Sequence, residues 1–228
     1  MFREKPVNDA VYHIYNRGVE KRTIFLNTSD YLRFTHSLYL FNTREPTTNM
    51  AEHLRSASFE VGLRRNIEEL VEIYAFCLMP NHFHLMVKQV ATDGITRFMR
   101  KLGTGYTNYF NLKYERVGAL FQGIYKAAPI VKEEHFLYLP YYIHANPLDL
   151  AAPEWREGLI PKPAAAFDFL MKYRWSSLRD YCGKANFPYL TSRRLIMEHF
   201  KNNPDYRREM EAWVADRSAE TLGNLTID

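Results

Sequence analysis

One stretch near the middle of the chain constrains the fold more than any other. Ile73-Tyr74-Ala75-Phe76-Cys77-Leu78 is an unbroken apolar run, followed by Met79-Pro80-Asn81 and then by His82-Phe83-His84-Leu85-Met86-Val87. The run reads as a buried strand and Pro80-Asn81 as a turn into a second strand. Side chains alternate across a strand. His82, His84 and Met86 therefore share one face, and Phe83, Leu85 and Val87 the other. Two imidazoles at i and i+2 project side by side and can grip one divalent cation, because neutral imidazole is the commonest nitrogen ligand. The same pair also suits a half-exposed strand face as ordinary cross-strand polar residues. An H-x-H pattern alone does not separate these readings.

The rest of the chain supplies a frame for the hairpin. Val11–Gly18 alternates and is rich in β-formers, which predicts a first strand. A helix is expected from Ser29-Asp30, with Tyr31, Phe34, Leu38 and Phe41 at helical spacing. Asn42 to Ser58 is polar and contains Pro46, as a long loop or an insertion would. Strands are expected over about 71–79 and 82–89, then a second helix from Ile95 to about Tyr114. Its stripe is Phe98, Leu102, Tyr106, Tyr109 and Phe110, and Gly103 and Gly105 weaken its middle. Ala119–Ile130 reads as a fourth strand interrupted by Gly123. A third helix spans about Glu133–Ala145 and stops at Asn146-Pro147; Pro140 should kink it or start its last segment. The order β-α-β-β-α-β is the split βαβ pattern, so the expected class is α+β: a ferredoxin-like antiparallel sheet with helices on one face. Residues 1–150 form the expected domain. Residues 151–228 follow as a linker, Pro153–Pro163, and a helical C-terminal extension with helices at Arg193–Phe200 and Tyr206–Ala215.

Bulk properties narrow the function classes. Of 228 residues, 46% are hydrophobic and 15% aromatic, which excludes a disordered chain. A net charge of +4 permits a nucleic-acid partner without requiring one. Cys77 and Cys182 are the only cysteines, and they read as reduced thiols of a cytoplasmic protein. Met1–Pro6 has no apolar signal core and no run reaches membrane-spanning length, so no membrane partner is expected.

A second constellation lies in the third helix, Tyr141-Tyr142-Ile143-His144-Ala145-Asn146-Pro147. Tyr142 and Asn146, at i and i+4, share a helical face. A helix lying across the histidine face would bring an amide oxygen and a hydroxyl beside the imidazoles. In the competing reading the tyrosines are core or rim residues and Asn146 caps the helix before Pro147.

Met79–Leu85 and Tyr142–Pro147 together resemble the single-tyrosine HUH transposases. Leu120-Phe121-Gln122-Gly123-Ile124-Tyr125-Lys126 and Tyr173-Arg174-Trp175-Ser176-Ser177 point to the REP-associated tyrosine transposase branch. The resemblance runs from about residue 10 to residue 182, with four motifs in the right order. It implies that His82 and His84 hold a divalent ion (Mg²⁺ or Mn²⁺), that Asn146 completes the metal site, and that Tyr142 is the nucleophile. It implies transesterification on single-stranded or hairpin DNA of the REP type, through a 5′-phosphotyrosine link and a free 3′-hydroxyl. Such a link conserves the phosphodiester energy, so no nucleotide cofactor is needed. A nucleoid-associated location follows.

DNA must also be held. Arg97, Arg100, Lys101, Lys113 and Arg116, interleaved with Tyr106, Tyr109 and Phe110, offer cations for phosphates and aromatics for unpaired bases, and Lys126 joins them. An outer charged face opposite a core stripe would look the same. Two other functions stay open: a non-catalytic ferredoxin-like nucleic-acid binder, and a metal-dependent hydrolase with water as nucleophile. The long extension after Asn146 suggests a monomer whose Tyr142 serves its own metal site, with an exchanged dimer as the alternative.

Overall fold

The computed structural model describes residues 5–45, 68–158, 160–200 and 203–216. The elements come in the expected order: β1 (Val11–Arg17), α1 (Thr28–Leu40), β2 (Val71–Met79), β3 (His82–Gln89), α2 (Gly94–Lys113), β4 (Lys126–Ile130) and α3 (Glu133–Ala145). The strands form one antiparallel sheet in the order β2-β3-β1-β4, as the split βαβ pattern requires.

Each central strand feeds two cores. Phe83, Leu85 and Val87 of β3, with Tyr12 and Ile14 of β1, pack under α1 and α2 against Phe34, Leu38, Phe98, Leu102 and Tyr106. On the other face Cys77, Met79 and Met86 pack against Leu139, Tyr142 and Ile143 of α3. A bulge between Ile73 and Ala75 of β2 makes room for Tyr74, which joins this second core. The second face is completed by the chain beyond 150: α4 (Pro163–Lys172), α5 (Leu178–Tyr181), α6 (Arg194–Met197) and α7 (Asn203–Ala215). The sheet thus carries the split-βαβ helices on one face and the extension on the other.

Local chemistry sets the element ends. Asn27 caps α1 in a reciprocal capping box with Asp30. Asn42 opens β2 from a distance: its Nδ2 donates to the Val71 carbonyl at 2.8 Å, and its Oδ1 accepts from Leu70 and Val71. The first residue of the polar stretch is therefore a buried anchor, and the part of that stretch from 46 to 58 lies outside the described residues. Gly105 lets α1 close on α2, since a Cβ there would sit 2.4 Å from Cζ of Phe41. The helix α3 runs unbroken through Pro140.

Two expected boundaries need correction. The fourth strand begins at Lys126, not near Ala119, because Gly123 at φ +124 turns the chain out of the ladder and its carbonyl accepts from Asn16 Nδ2. The segment 153–163 is no mere linker. It holds a 3-10 turn, Pro153–Glu157, whose Trp155 is fully buried, and α4 starts at Pro163. The edge of β2 is also closed. Leu78 N–H donates to the Trp175 carbonyl, Ser177 N–H donates to the Phe76 carbonyl, and Tyr173 Oη donates to the Leu78 carbonyl at 2.6 Å. Tyr173–Ser177 is thus a cover for an otherwise unpaired strand edge.

Candidate active site

The strand register builds the site from one face of the sheet. Tyr15 of β1 pairs with His84 of β3 and with Lys126 of β4, while Arg17 pairs with His82. Above these rows α3 places Tyr142, and the 3-10 turn after it places Arg156. Together they surround an open cavity of about 460 Å³ lined by both histidines, Tyr142, Arg156, Arg17 and Lys126. Among the described residues no carboxylate lines the cavity, so its chemistry favours an anion such as a phosphodiester.

The imidazoles stand edge to face with ring centroids 4.9 Å apart. His82 Nδ1 donates to Asn81 Oδ1 at 2.6 Å, which leaves Nε2 as the nitrogen with the lone pair. His84 Nδ1 lies 2.9 Å from Nε2 of the buried His13. Burial first, then the charges of His82, His13, Arg156 and Arg17, hold the His84 pKa well below its usual value. Burial alone brings His13 down to about 3. His84 is therefore neutral at physiological pH, the form that ligates metal. Each ring also has its second nitrogen held by a neighbour, as metal-bound histidines usually do. The pair fits a divalent ion. Among the described residues no cluster of three or more His, Cys, Asp or Glu offers a complete cage, so an amide, phosphate or water would have to fill the remaining positions.

Tyr142 is 1% exposed, with its ring 6.0 Å from that of His84. Asn146 sits one turn on, but behind the tyrosine and outside the cavity lining: its Nδ2 donates to the Tyr142 carbonyl at 2.8 Å and its Oδ1 faces Arg156 at 3.4 Å. Arg156 also donates from Nη1 to the Tyr142 hydroxyl at 3.3 Å. Tyr141 points elsewhere, stacked on Tyr206 at 5.3 Å.

Of the cations read from the sequence, Lys126 alone lines the cavity. Arg97, Arg100, Lys101 and Lys113 ride on α2, which packs on the opposite face of the sheet, and Arg116 follows it. Arg97 donates to the Arg44 carbonyl and Lys101 to the carbonyls of Thr43 and Glu45. Lys113 is ion-paired with the buried Asp30 at 2.6 Å, and Arg116 donates to Asn111. Two of the three aromatics are core: Tyr106 and Phe110 are 0% and 1% exposed, so they are not open to stacking bases, and the partly buried Tyr109 packs against the same cluster. His13, Arg17 and Arg156 were missed from the sequence. His13 and Arg17 share parity with Tyr15 on β1, which was a usable signal, whereas Arg156 lies in an aperiodic Pro-flanked segment.

Comparison with known proteins bears on the family and the fold. Residues 35–146 match the family model of the IS200-like transposases. A solved structure of a REP-associated tyrosine transposase bound to a REP hairpin is similar in fold, with a TM-score of 0.50 and 13% identity over 82% of this chain and 87% of that one. No curated protein matches the sequence. No helix among the described residues is long and apolar enough to cross a membrane.

Proposed function

Through residues 35–146 the chain belongs to the IS200-like transposase family, and from that premise we propose that it nicks and rejoins single-stranded DNA with Tyr142 as nucleophile. The observation that carries this reading is the shared cavity: the Tyr142 ring, the His82–His84 pair and Arg156 line one electropositive pocket. Tyr142 Oη attacks the scissile phosphorus, the bond to the 3′-oxygen breaks, and a 5′-phosphotyrosine and a free 3′-hydroxyl result. Lys126 and Arg17 offer cations to the phosphates on either side. His82 and His84 would hold a divalent ion, Mg²⁺ or Mn²⁺, with Asn146 the third candidate ligand. When bound, such an ion supplies Lewis-acid polarisation of the phosphoryl oxygen. The DNA is a REP-type hairpin repeat in this reading, which places the enzyme where the chromosome is.

Residues 1–150 act as the catalytic domain and 151–228 as an extension that closes the second sheet face. Because Tyr142 stands beside His84 of its own chain, the enzyme works as a monomer. Mixing His82→Ala with Tyr142→Phe tests this: both are inactive, and recovered cleavage would require a site shared between chains. The main test is incubation with labelled single-stranded oligonucleotides of the flanking genomic repeats, with and without Mn²⁺. A protein–DNA adduct that survives denaturant is expected from the wild type and from Tyr141→Phe, and none from Tyr142→Phe. Tight binding with no adduct would make the chain a non-catalytic nucleic-acid binder.

A further inference from the structure

Arg156 lies beyond the segment that matches the family, yet it touches the atom that would react. Its side chain is gripped on one edge by Asp149, with Nε to Oδ1 at 2.9 Å and Nη2 to Oδ2 at 2.7 Å. Asp149 is itself fixed by the indole N–H of Trp155 at 2.5 Å. The guanidinium lies 4.9 Å from the Trp155 ring, and Trp155 is fully buried. A planar fork has five N–H donors, and this grip directs the remaining ones at Tyr142 Oη, 3.3 Å away, and Asn146 Oδ1, 3.4 Å away. A device that only pinned the turn 149–156 would need the Asp149 pair and no more.

We propose that Arg156 is a catalytic residue, which holds the Tyr142 hydroxyl for attack and hydrogen-bonds the negative charge that gathers on that oxygen when the tyrosine departs. The inference rests on the transesterification proposed above. In the cleavage direction Tyr142 Oη gives its proton to water in the open cavity and forms the bond to phosphorus, while the departing 3′-oxygen takes a proton from water. In the rejoining direction a 3′-hydroxyl gives its proton to water and forms the bond to phosphorus, the phosphorus–Oη bond breaks, and its electron pair returns to Oη, which then takes a proton from water. Arg156 exchanges no proton, because its guanidinium stays charged at any working pH. It supplies a charged donor at the atom where charge develops, and bonds of 3.3 Å tighten as that charge grows. The extension is then part of the active site and not only a cover.

The test measures adduct formation and adduct resolution separately in single turnovers, for wild type, Arg156→Met and Arg156→Lys. Each is made with tyrosine or with 3-fluorotyrosine, a better leaving group, at position 142. Arg156→Met is expected to slow resolution roughly 100-fold, the usual cost of one oxyanion donor. Arg156→Lys should recover part of it. Fluorotyrosine should restore resolution in Arg156→Met while changing the wild type little, a rescue that a merely structural role would not produce. The double variant Asp149→Asn/Arg156→Met removes both charges, so it leaves no half-buried carboxylate unpaired and reports the same loss in a stable fold. If the Met variants lose their melting transition, Arg156→Lys with fluorotyrosine carries the test alone. Unchanged rates in Arg156→Met, or a loss that fluorotyrosine does not relieve, overturn the proposal. An absent adduct in the wild type would overturn the transesterification itself, and the two failures are told apart by that lane.

Discussion

The two faces of β3 are a few ångströms apart and do different work. Phe83, Leu85 and Val87 join the apolar cluster under α1 and α2, whereas His82 and His84 meet an asparagine, a histidine, a tyrosine and an arginine. The apolar face is covered by helices that follow β1 and β3 directly. The site face is covered by chain that arrives later, and it leaves a cavity there. A sheet with both faces buried in apolar contact would have no room for a substrate. Stability and chemistry are therefore divided by side-chain parity along a single strand.

The comparison can be broken most completely at the tyrosine. Tyr142→Phe removes one hydroxyl from the site face, so it should abolish the adduct while the melting temperature stays within a few degrees of wild type; a gel and a thermal melt read both. Phe83→Ala does the reverse. It empties a packed position between Phe34 and Phe121 and should cost about 3–5 kcal/mol in denaturant unfolding. Any molecules still folded should keep their chemistry.

His84→Ala sharpens the contrast, because His84 is only 3% exposed and bonded to His13. The site face is thus partly core. We expect loss of Mn²⁺ binding by calorimetry together with about 1–3 kcal/mol of stability, since His13 is left without its partner. Mn²⁺ binding that survives this variant would remove His84 from the site.

The smallest effect is graded with pH. Burial brings His13 and His144 down to about 3 in the fold, against 6.5 for an unperturbed histidine. The unfolded chain takes up these protons first, so stability must fall as pH drops from 6.5 toward 3. Each residue contributes about 1.4 kcal/mol per pH unit across that window. His144 is held between Tyr206 and Ser177 and does not line the cavity, so His144→Gln should flatten the acid limb of stability without removing a group from the site. An unchanged acid limb would contradict the burial of His144.

What was legible in the sequence follows from period. Alternation along β1 and β3 and the spacing in α1 and α2 fixed the sheet, and the two-residue separation of His82 and His84 fixed their common face. Tyr142 and Asn146 were placed on one helical turn for the same reason, although the turn alone did not reveal that Asn146 bonds back to the Tyr142 carbonyl. Period does not say which way a helix faces. The cations of α2 and its aromatic stripe therefore fitted a DNA surface as well as a core; packing puts Tyr106 and Phe110 in the core and the cations on the face of the sheet away from the cavity. Arg156 had no period to betray it: its place depends on Asp149 and Trp155, which come together through a turn and not through a repeat.

The strand-edge cover at Trp175–Ser177 has a consequence during synthesis. A ribosome that stops at residue 150 releases a chain with Tyr142, His82 and His84 already made, but with the Phe76–Leu78 edge unpaired and Trp155, Arg156 and α4 to α7 absent. Such a fragment exposes backbone donors and the Cys77 face to its neighbours, and it lacks the arginine beside Tyr142. An open edge is a template for pairing with another chain, so the growing product carries an aggregation hazard until residues 173–177 have been made.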